Sequence, residues 1–549
     1  MIYPTIPLAQ SVIEICKAKG IQHIIISPGS RNAPLTIGFT NNPFFTCYSI
    51  ADERCAAFFA MGIAQQIQKP VAVVCTSGSA VLNYYPAVAE AFYSQIPLVV
   101  LSADRPQNKI DIGDGQTIRQ ENVFANHILF SANLTELSSN ENDCLINQAI
   151  NSAVENRGPV HINIPFEEPL YETIETLEVH PEIIPMNQLS NVFTLEENFI
   201  SQWKQAKKKL ILVGELFPNT LENEIIQKLG EDESIVVLTE ATSNLHHSNF
   251  ISNIDSLITP FLTKDFEAFQ PEILVTFGGM VVSKRIKAFL RKFQPKNHWH
   301  IDKLRAYDTF GCLTQHVKTH PNLFFNQLLT ENTSSDYQKQ FLTIHNFRKQ
   351  KRKIYTNEIP FSDFKVFDFL SKHLPEVCQL QISNSSAIRY FQLFDWSAAT
   401  TIFCNRGTSG IDGSTSTAIG AAITTSKPTI LITGDISFFY DSNALWNNYI
   451  PKNFKIILVN NNGGGIFRIL PGHQETPTFN TFFETSHQLN ALHLTKMFDF
   501  QYFKANSLEE INENWNAFIS NENQPSVLEI FTPEKLNDKI LLDFFKKLA

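Results

Sequence analysis

The chain has no run of eighteen apolar residues, and Met1–Lys17 lacks the basic, apolar and small-residue order of a cleaved leader. A membrane-spanning helix is therefore not expected, and the reading is of a soluble cytoplasmic protein. No CxxC pair occurs. The eight cysteines (Cys16, Cys47, Cys55, Cys75, Cys144, Cys312, Cys378 and Cys404) are scattered, several in apolar stretches such as 71–75 and 401–404, and are expected as buried thiols. A zinc site or redox dithiol loses its usual spacing signal. No strand-linked GxGxxG appears, which removes the dinucleotide-binding signal of an oxidoreductase. Excess positive charge is missing too: 44 Lys and Arg stand against 54 Asp and Glu, a net charge of −10. That balance disfavours nucleic acid or an anionic membrane as partner, so any cationic function must be local.

What is present is a globular composition, 43% hydrophobic and 18% charged, over 549 residues. That length exceeds one ordinary core and implies two to four domains of about 100–200 residues each. Short β-branched runs alternate with helical patterns. Strands are expected at 23–27, 46–50, 71–75, 98–102 and 160–164, with helices at 52–68 and 79–93 between them. A second set of strands is expected at 209–213, 234–238, 273–277 and 298–302, and a third at 379–382, 401–405, 428–433, 455–460 and 526–531. Such alternation implies parallel sheets covered by helices. The reading is α/β, with three doubly wound parallel-sheet domains at 1–178, 179–350 and 351–549. The basic stretch 346–358 is expected as a solvated helix end or connection. The Phe277-Gly278-Gly279 turn is either an effector site or a plain strand end, with the strand end favoured.

Thr433-Gly434-Asp435 ends one apolar strand, and Asn460-Asn461-Asn462-Gly463-Gly464-Gly465 follows the next, so the two turns should meet in space. A carboxylate, an amide oxygen and backbone carbonyls at adjacent strand ends suit a hard cation such as magnesium, which often bridges to a diphosphate. A lone Gly-Asp is usually an ordinary turn. The asparagine-glycine run after the neighbouring strand raises it to a candidate site.

This spacing resembles the signature of thiamine-diphosphate-dependent enzymes, with Ile436 as a departure at the third position. The resemblance implies Asp435, Asn461 and the Gly463 carbonyl as ligands of magnesium or manganese, with Gly434 and Ser437 at the cofactor. It also implies Glu53, in Ala51-Asp52-Glu53-Arg54, as the catalytic carboxyl group that hydrogen-bonds the aminopyrimidine ring. By itself, an acidic residue in a first helical turn needs only the helix dipole to explain it.

Four further segments narrow the resemblance: residues 26–35 (ISPGSRNAPL), 76–80 (TSGSA), 102–106 (SADRP) and 405–413 (NRGTSGIDG). They resemble the 2-succinyl-5-enolpyruvyl-6-hydroxy-3-cyclohexene-1-carboxylate synthase branch over nearly the whole chain, most weakly in the middle domain. The branch implies decarboxylation of 2-oxoglutarate and addition of the remaining unit to isochorismate in menaquinone biosynthesis. Both substrates are dicarboxylates, and arginine suits planar bidentate carboxylate recognition. The matching cations are Arg31, Arg105, Lys284, Arg285, Arg389 and Arg406; Ser30, Gln116 and Ser385 match polar positions. Ile411 matches the apolar support of the cofactor, and Ile466 with Phe467 would wall the pocket, although core packing explains these three equally. Gly115 departs from the asparagine usual before the matching glutamine, which puts that one substrate contact in question. The family divides each cofactor site between subunits, implying a homodimer or homotetramer. Another thiamine-diphosphate 2-oxoacid decarboxylase or carboligase, or a catalytically silent homologue, remains open.

Overall fold

Six of the expected strands have nearly every residue buried: Val71–Cys75, Lys209–Val213, Ile273–Phe277, Gln379–Ile382, Lys455–Asn460 and Ser526–Phe531. Burial on both faces is what helix-covered parallel sheets demand. In the computed structural model, which describes residues 1–186, 193–470 and 472–549, they form the centres of three six-stranded parallel sheets.

The first sheet is ordered Thr46–Ser49, His23–Ile26, Val71–Cys75, Leu98–Asp104, Val160–Pro165, Ser131–Asn133. The third is ordered Thr401–Phe403, Gln379–Ile382, Thr429–Gly434, Lys455–Asn460, Ser526–Phe531, Gln501–Ala505. With strands numbered along each sheet's own chain, both read 2-1-3-4-6-5, whereas the middle sheet, built from Lys209–Val213 onward, reads 3-2-1-4-5-6. Each order reverses beside its first strand, and the crevice at that reversal, beyond the carboxyl ends of the strands, is where such sheets hold ligands.

The structure departs from the sequence reading in four places. The expected helix over 79–93 is two helices, Ser79–Asn83 and Tyr85–Tyr93, because Pro86 has no N–H to donate and its ring clashes with the preceding turn. The basic stretch 346–358 is the second half of the helix Tyr337–Glu358 and is only partly solvated. Arg348 and Arg352 are buried there, and Arg352 Nη2 donates to Asp395 Oδ2 at 2.6 Å. The helix sends Phe341 into the middle domain's core and Tyr355 into the third domain's, so its cationic side lies between them. Of the cysteines, Cys144 is exposed and Cys47 and Cys312 are half-buried; the other five are buried. Finally, the Gly278-Gly279 turn ends its strand and also lines a cavity of about 380 Å³. Among the described residues no helix is long and apolar enough to cross a membrane.

The first and third domains meet where the helix Glu53–Ile67 crosses the helix Ser414–Ala422. A Cβ on Gly62 would sit 2.2 Å from the Thr417 carbonyl oxygen, and one on Gly420 would sit 2.0 Å from that of Phe59. The two backbones touch, and each helix supplies the glycine that permits it. Replacing a helical glycine by alanine ordinarily gains about 1 kcal/mol of helix propensity. Here Gly420→Ala is expected to lose about 1–3 kcal/mol instead, because the methyl overfills the crossing. A lower urea midpoint for the variant is the expected result, and an equal or higher one would mean the helices can part without cost.

Candidate active site

At the reversal of the third sheet, Gly434 N donates to Ser383 Oγ at 3.4 Å, joining the turn after Thr429–Gly434 to the turn after Gln379–Ile382. The next strand end closes on the same point. Gly463 N donates to Asp435 Oδ2 at 2.9 Å, so the two turns meet as their sequence positions required. Asp435 and Asn461 are buried. Asp435 Oδ1 accepts from Ile436 N at 2.7 Å, and His487 Nε2 lies 3.4 Å from Asp435 Oδ2. Asn461 Nδ2 donates to Asp363 Oδ2 at 2.9 Å. Gly463 has φ +153°, and a Cβ there would meet the Glu484 carbonyl oxygen at 2.9 Å, so glycine is required. At Gly434 a Cβ would meet nothing within 4 Å, which leaves room beside the carboxylate.

The donor set fits a hard divalent cation: one carboxylate, one amide oxygen and one backbone carbonyl, all oxygen. Among the described residues no cluster of three or more His, Cys, Asp or Glu forms a metal site of the softer kind. Ile411 joins the cluster through its carbonyl, which accepts from Ser437 Oγ at 2.6 Å. Ile466 lines a small cavity with Asp363, Arg389 and Asn461, while Phe467 stands partly exposed beside it.

Glu53 occupies the first turn of the helix Glu53–Ile67, behind Asp52, whose carboxylate accepts from Cys55 N at 3.2 Å. Burial raises the Glu53 carboxyl above its ordinary pKa and the Asp52 charge adds to this, while hydrogen bonding with the Asn83 side chain opposes it. The turn is fastened to the third domain by Asn443 Nδ2 donating to Asp52 Oδ2 at 2.8 Å and Arg54 Nη2 donating to the Tyr440 carbonyl at 2.9 Å. No hydrogen bond or ion pair among the described residues joins Glu53 to Asp435, Asn461 or Gly463.

The candidate cations fall into two groups. In the first domain, Arg31 Nη2 donates to Glu168 Oε1 at 3.1 Å and Arg105 Nη1 lies 4.0 Å from the same oxygen. Arg105 Nη2 also donates to the Gly115 carbonyl at 3.1 Å, beside the exposed Gln116, while Ser30 lies exposed next to Arg31. At Gly115 itself a Cβ would meet nothing within 4 Å. The second group lies between the middle and third domains, where desolvation raises the half-buried Asp255 carboxyl while Arg285 and Arg389 favour its charged form. Arg406 and Arg389 are likewise neighbours, and Arg406 Nη1 donates to Asn384 Oδ1 at 2.5 Å. Lys284 is exposed at the start of the helix Lys284–Lys292. Ser385 has φ +67° and ψ −128°, a strained conformation for serine of the kind that collects at functional sites. Arg31, Arg105 and Arg406 each keep a buried Nε with no hydrogen-bond partner among the described residues.

Family models match the chain in three consecutive pieces: the N-terminal TPP binding domain of thiamine pyrophosphate enzymes over residues 6–127, their middle domain over 185–382 and their C-terminal TPP binding domain over 385–530. Curated relatives extend the likeness end to end. A protein of Flavobacterium psychrophilum named 2-succinyl-5-enolpyruvyl-6-hydroxy-3-cyclohexene-1-carboxylate synthase is 64% identical, over 100% of both chains. Proteins of the same name from Christiangramia forsetii and Phocaeicola vulgatus are 52% and 38% identical; the first covers 99% of each chain, the second 98% of this chain and 97% of its own. The chain belongs to the 2-succinyl-5-enolpyruvyl-6-hydroxy-3-cyclohexene-1-carboxylate synthase family.

Three residues at this family site escaped the sequence reading: Asp363, His487 and Glu90. Glu90 is buried in the first domain, yet its carboxylate accepts from Gly407 N at 2.6 Å, Thr408 N at 2.6 Å, Thr408 Oγ1 at 2.7 Å and Ser94 Oγ at 2.8 Å. It thereby pins the loop that carries both Arg406 and Ile411. An unpaired buried donor costs about 1–3 kcal/mol, so Glu90→Ala is expected to lose about 2 kcal/mol or more of stability, and Glu90→Gln, which keeps one acceptor, less. Urea denaturation of the three proteins checks the order, and an alanine variant as stable as the parent would show that the loop holds itself.

Proposed function

We propose that the chain is a thiamine-diphosphate-dependent carboligase that decarboxylates 2-oxoglutarate and joins the remaining four-carbon unit to isochorismate. The products are 2-succinyl-5-enolpyruvyl-6-hydroxy-3-cyclohexene-1-carboxylate and carbon dioxide, a step of menaquinone biosynthesis. One observation carries the substrate side of this reading. Three arginines matching the family's cationic positions each retain a buried N–H with no acceptor, in an otherwise acidic chain. Buried donors normally find partners, and a dicarboxylate supplies acceptors in a planar form that guanidinium groups fit.

Asp435, the Asn461 side-chain oxygen and the Gly463 carbonyl would hold magnesium or manganese, with Gly434 and Ser437 beside the diphosphate and Ile411 against the rings. When bound, thiamine diphosphate supplies the electron sink that decarboxylation needs and retains the electron pair for the new carbon–carbon bond. Glu53 would hold a proton at a carboxyl oxygen facing the aminopyrimidine ring, a task suited to a carboxyl whose pKa burial has raised. Arg31 and Arg105, with Ser30 and Gln116, bind one set of substrate carboxylates. Arg285, Arg389 and Arg406, with Lys284 and Ser385, bind another, while Ile466 and Phe467 keep water from the pocket. The decisive assay follows isochorismate consumption and carbon dioxide release, omitting 2-oxoglutarate, isochorismate, magnesium and thiamine diphosphate in turn. Isochorismate loss should require every component. Carbon dioxide without isochorismate loss would replace this reading with a plain decarboxylase, and no reaction despite cofactor binding would support a silent homologue.

The resemblance to a family that divides each cofactor site between subunits supports a homodimer in which each site takes Glu53 from one protomer and the cation ligands from its partner. Glu53→Gln and Asp435→Asn should each be inactive alone. A co-refolded equal mixture should recover up to about a quarter of the activity, since half the dimers are mixed and each mixed dimer holds one intact site. No recovery, in mixtures shown to contain hybrid dimers, would put both groups of one site in a single chain.

A further inference from the structure

The Asn461 side chain has two chemically opposite ends, and only its oxygen can ligate a cation. Which end faces Asp435 is decided by what holds the other. Asn461 Nδ2 donates to Asp363 Oδ2 at 2.9 Å, and the second Asp363 oxygen accepts from Thr532 Oγ1 at 2.5 Å. The Asp363 backbone is fixed as well: its N–H donates to Asn537 Oδ1 at 2.8 Å, and it opens the helix Asp363–His373 behind the capping Ser362. Asp363 is buried, so no water competes for the amide. An ionised carboxylate only accepts hydrogen bonds. Turning the Asn461 amide over would set its oxygen against Asp363 and aim its NH₂ group at the cation, two repulsions at once.

We infer that Asp363 is a positioning residue for cation binding, holding the Asn461 amide so that Oδ1 is presented beside Asp435 and the Gly463 carbonyl. The inference rests on the reading of those three residues as the cation ligands. Asp363 itself would never touch the ion. Outer partners of this kind, which orient a ligand through a hydrogen bond, typically change metal affinity about 10- to 100-fold when removed. A general structural role for Asp363 would make no demand on which side of the hydrogen bond carries the donor. The orienting role does, and exchanging the two sides separates them.

The test uses the full chain with thiamine diphosphate and Mn²⁺ as probe, reading free Mn²⁺ by its electron paramagnetic resonance signal and checking fold by circular dichroism. Asn461→Asp sets two carboxylates against each other and should weaken Mn²⁺ binding about 10-fold or more, despite the added negative charge. Asp363→Asn with Asn461→Asp restores one donor and one acceptor with their places exchanged, and should return affinity to within about threefold of the parent. An unweakened single variant, or a double variant no better than the single, overturns the inference. Should Asn461→Asp fail to fold, Asp363→Ala and Asp363→Asn carry the test. The first removes the acceptor and should lose about 10-fold; the second keeps one and should lose little. Equal affinities for these two would overturn the inference. Asp435→Asn is the control: parental Mn²⁺ affinity there would mean the ligand reading itself is wrong. Loss there without rescue by the exchange removes only the role of Asp363.

Discussion

The contact between the helices Glu53–Ile67 and Ser414–Ala422 is the constraint on which the rest of the molecule depends. Their backbones approach so closely that Gly62 and Gly420 have no room for a Cβ, and Gly413, at the start of the second helix, lies against the Phe58 ring. One helix begins with Glu53; the other follows the loop that carries Arg406 and Ile411. Fixing the crossing therefore fixes, in one step, the Glu53 carboxyl group and the loop of Arg406 and Ile411, the proposed catalytic and substrate-facing elements. The fastening continues outward through polar contacts, with Asp441 accepting from Ser416 N at 2.8 Å and lying 3.8 Å from Arg54. Apolar contact sets how near the domains come, and these charged groups set their register.

An acidic chain that binds dianions must gather its cations without letting its own carboxylates neutralise them. Here the carboxyl groups near Arg406 are removed from bulk water, Glu90 and Glu240 buried and Glu215 half-buried at the cavity wall. Burial, with the neighbouring Glu90 charge, pushes the Glu215 carboxyl up to about 8, and burial pushes Glu240 up to about 7 even though Val282 and Ser283 donate their N–H groups to it. A Glu215 that carries its proton at neutral pH withdraws one negative charge from the arginine's surroundings. The Arg406 Nε stays without a protein partner in that setting. The desolvation that raises these carboxyl groups also strengthens the field that the guanidinium offers to an incoming anion.

Much of this was legible in the sequence, and what escaped did so for identifiable reasons. Central strands such as Val71–Cys75 and Lys455–Asn460 are buried on both faces, so an apolar run marks them residue for residue. Four strands that went unseen, Ser131–Asn133, Phe250–Ile251, Gln315–Val317 and Gln501–Ala505, all form edges of their sheets, and most are short or partly exposed. The meeting of the Asp435 and Gly463 turns was legible because both directly follow neighbouring strands, where chain order fixes proximity. Asp363 and Glu90 were not, because they act across 98 and 317 positions of sequence and nothing in their local pattern differs from an ordinary helix residue. Gly115 was noticed as a departure, and the open space around it means a longer side chain is absent there by choice of residue and not for want of room.

The two outer domains share one strand order and therefore one crevice geometry, yet they put different chemistry at it. The first offers Arg31 and, nearby, Glu53; the third offers Asp435, Asn461 and Gly463, with Arg389 beside them. On the proposed reading neither crevice would hold a complete set, since the diphosphate's cation would be bound by the third domain and the proton-exchanging carboxyl group carried by the first. Duplicated scaffolds with divided chemistry become useful only when unlike crevices face each other. Within one chain the helix crossing fastens the Glu53 turn to Tyr440 and Asn443, and the contacts there do not extend to the Asp435 cluster. A twofold axis of the proposed kind would resolve this geometry economically, because one rotation would bring each first-domain crevice to a third-domain crevice of the other protomer and complete two sites together.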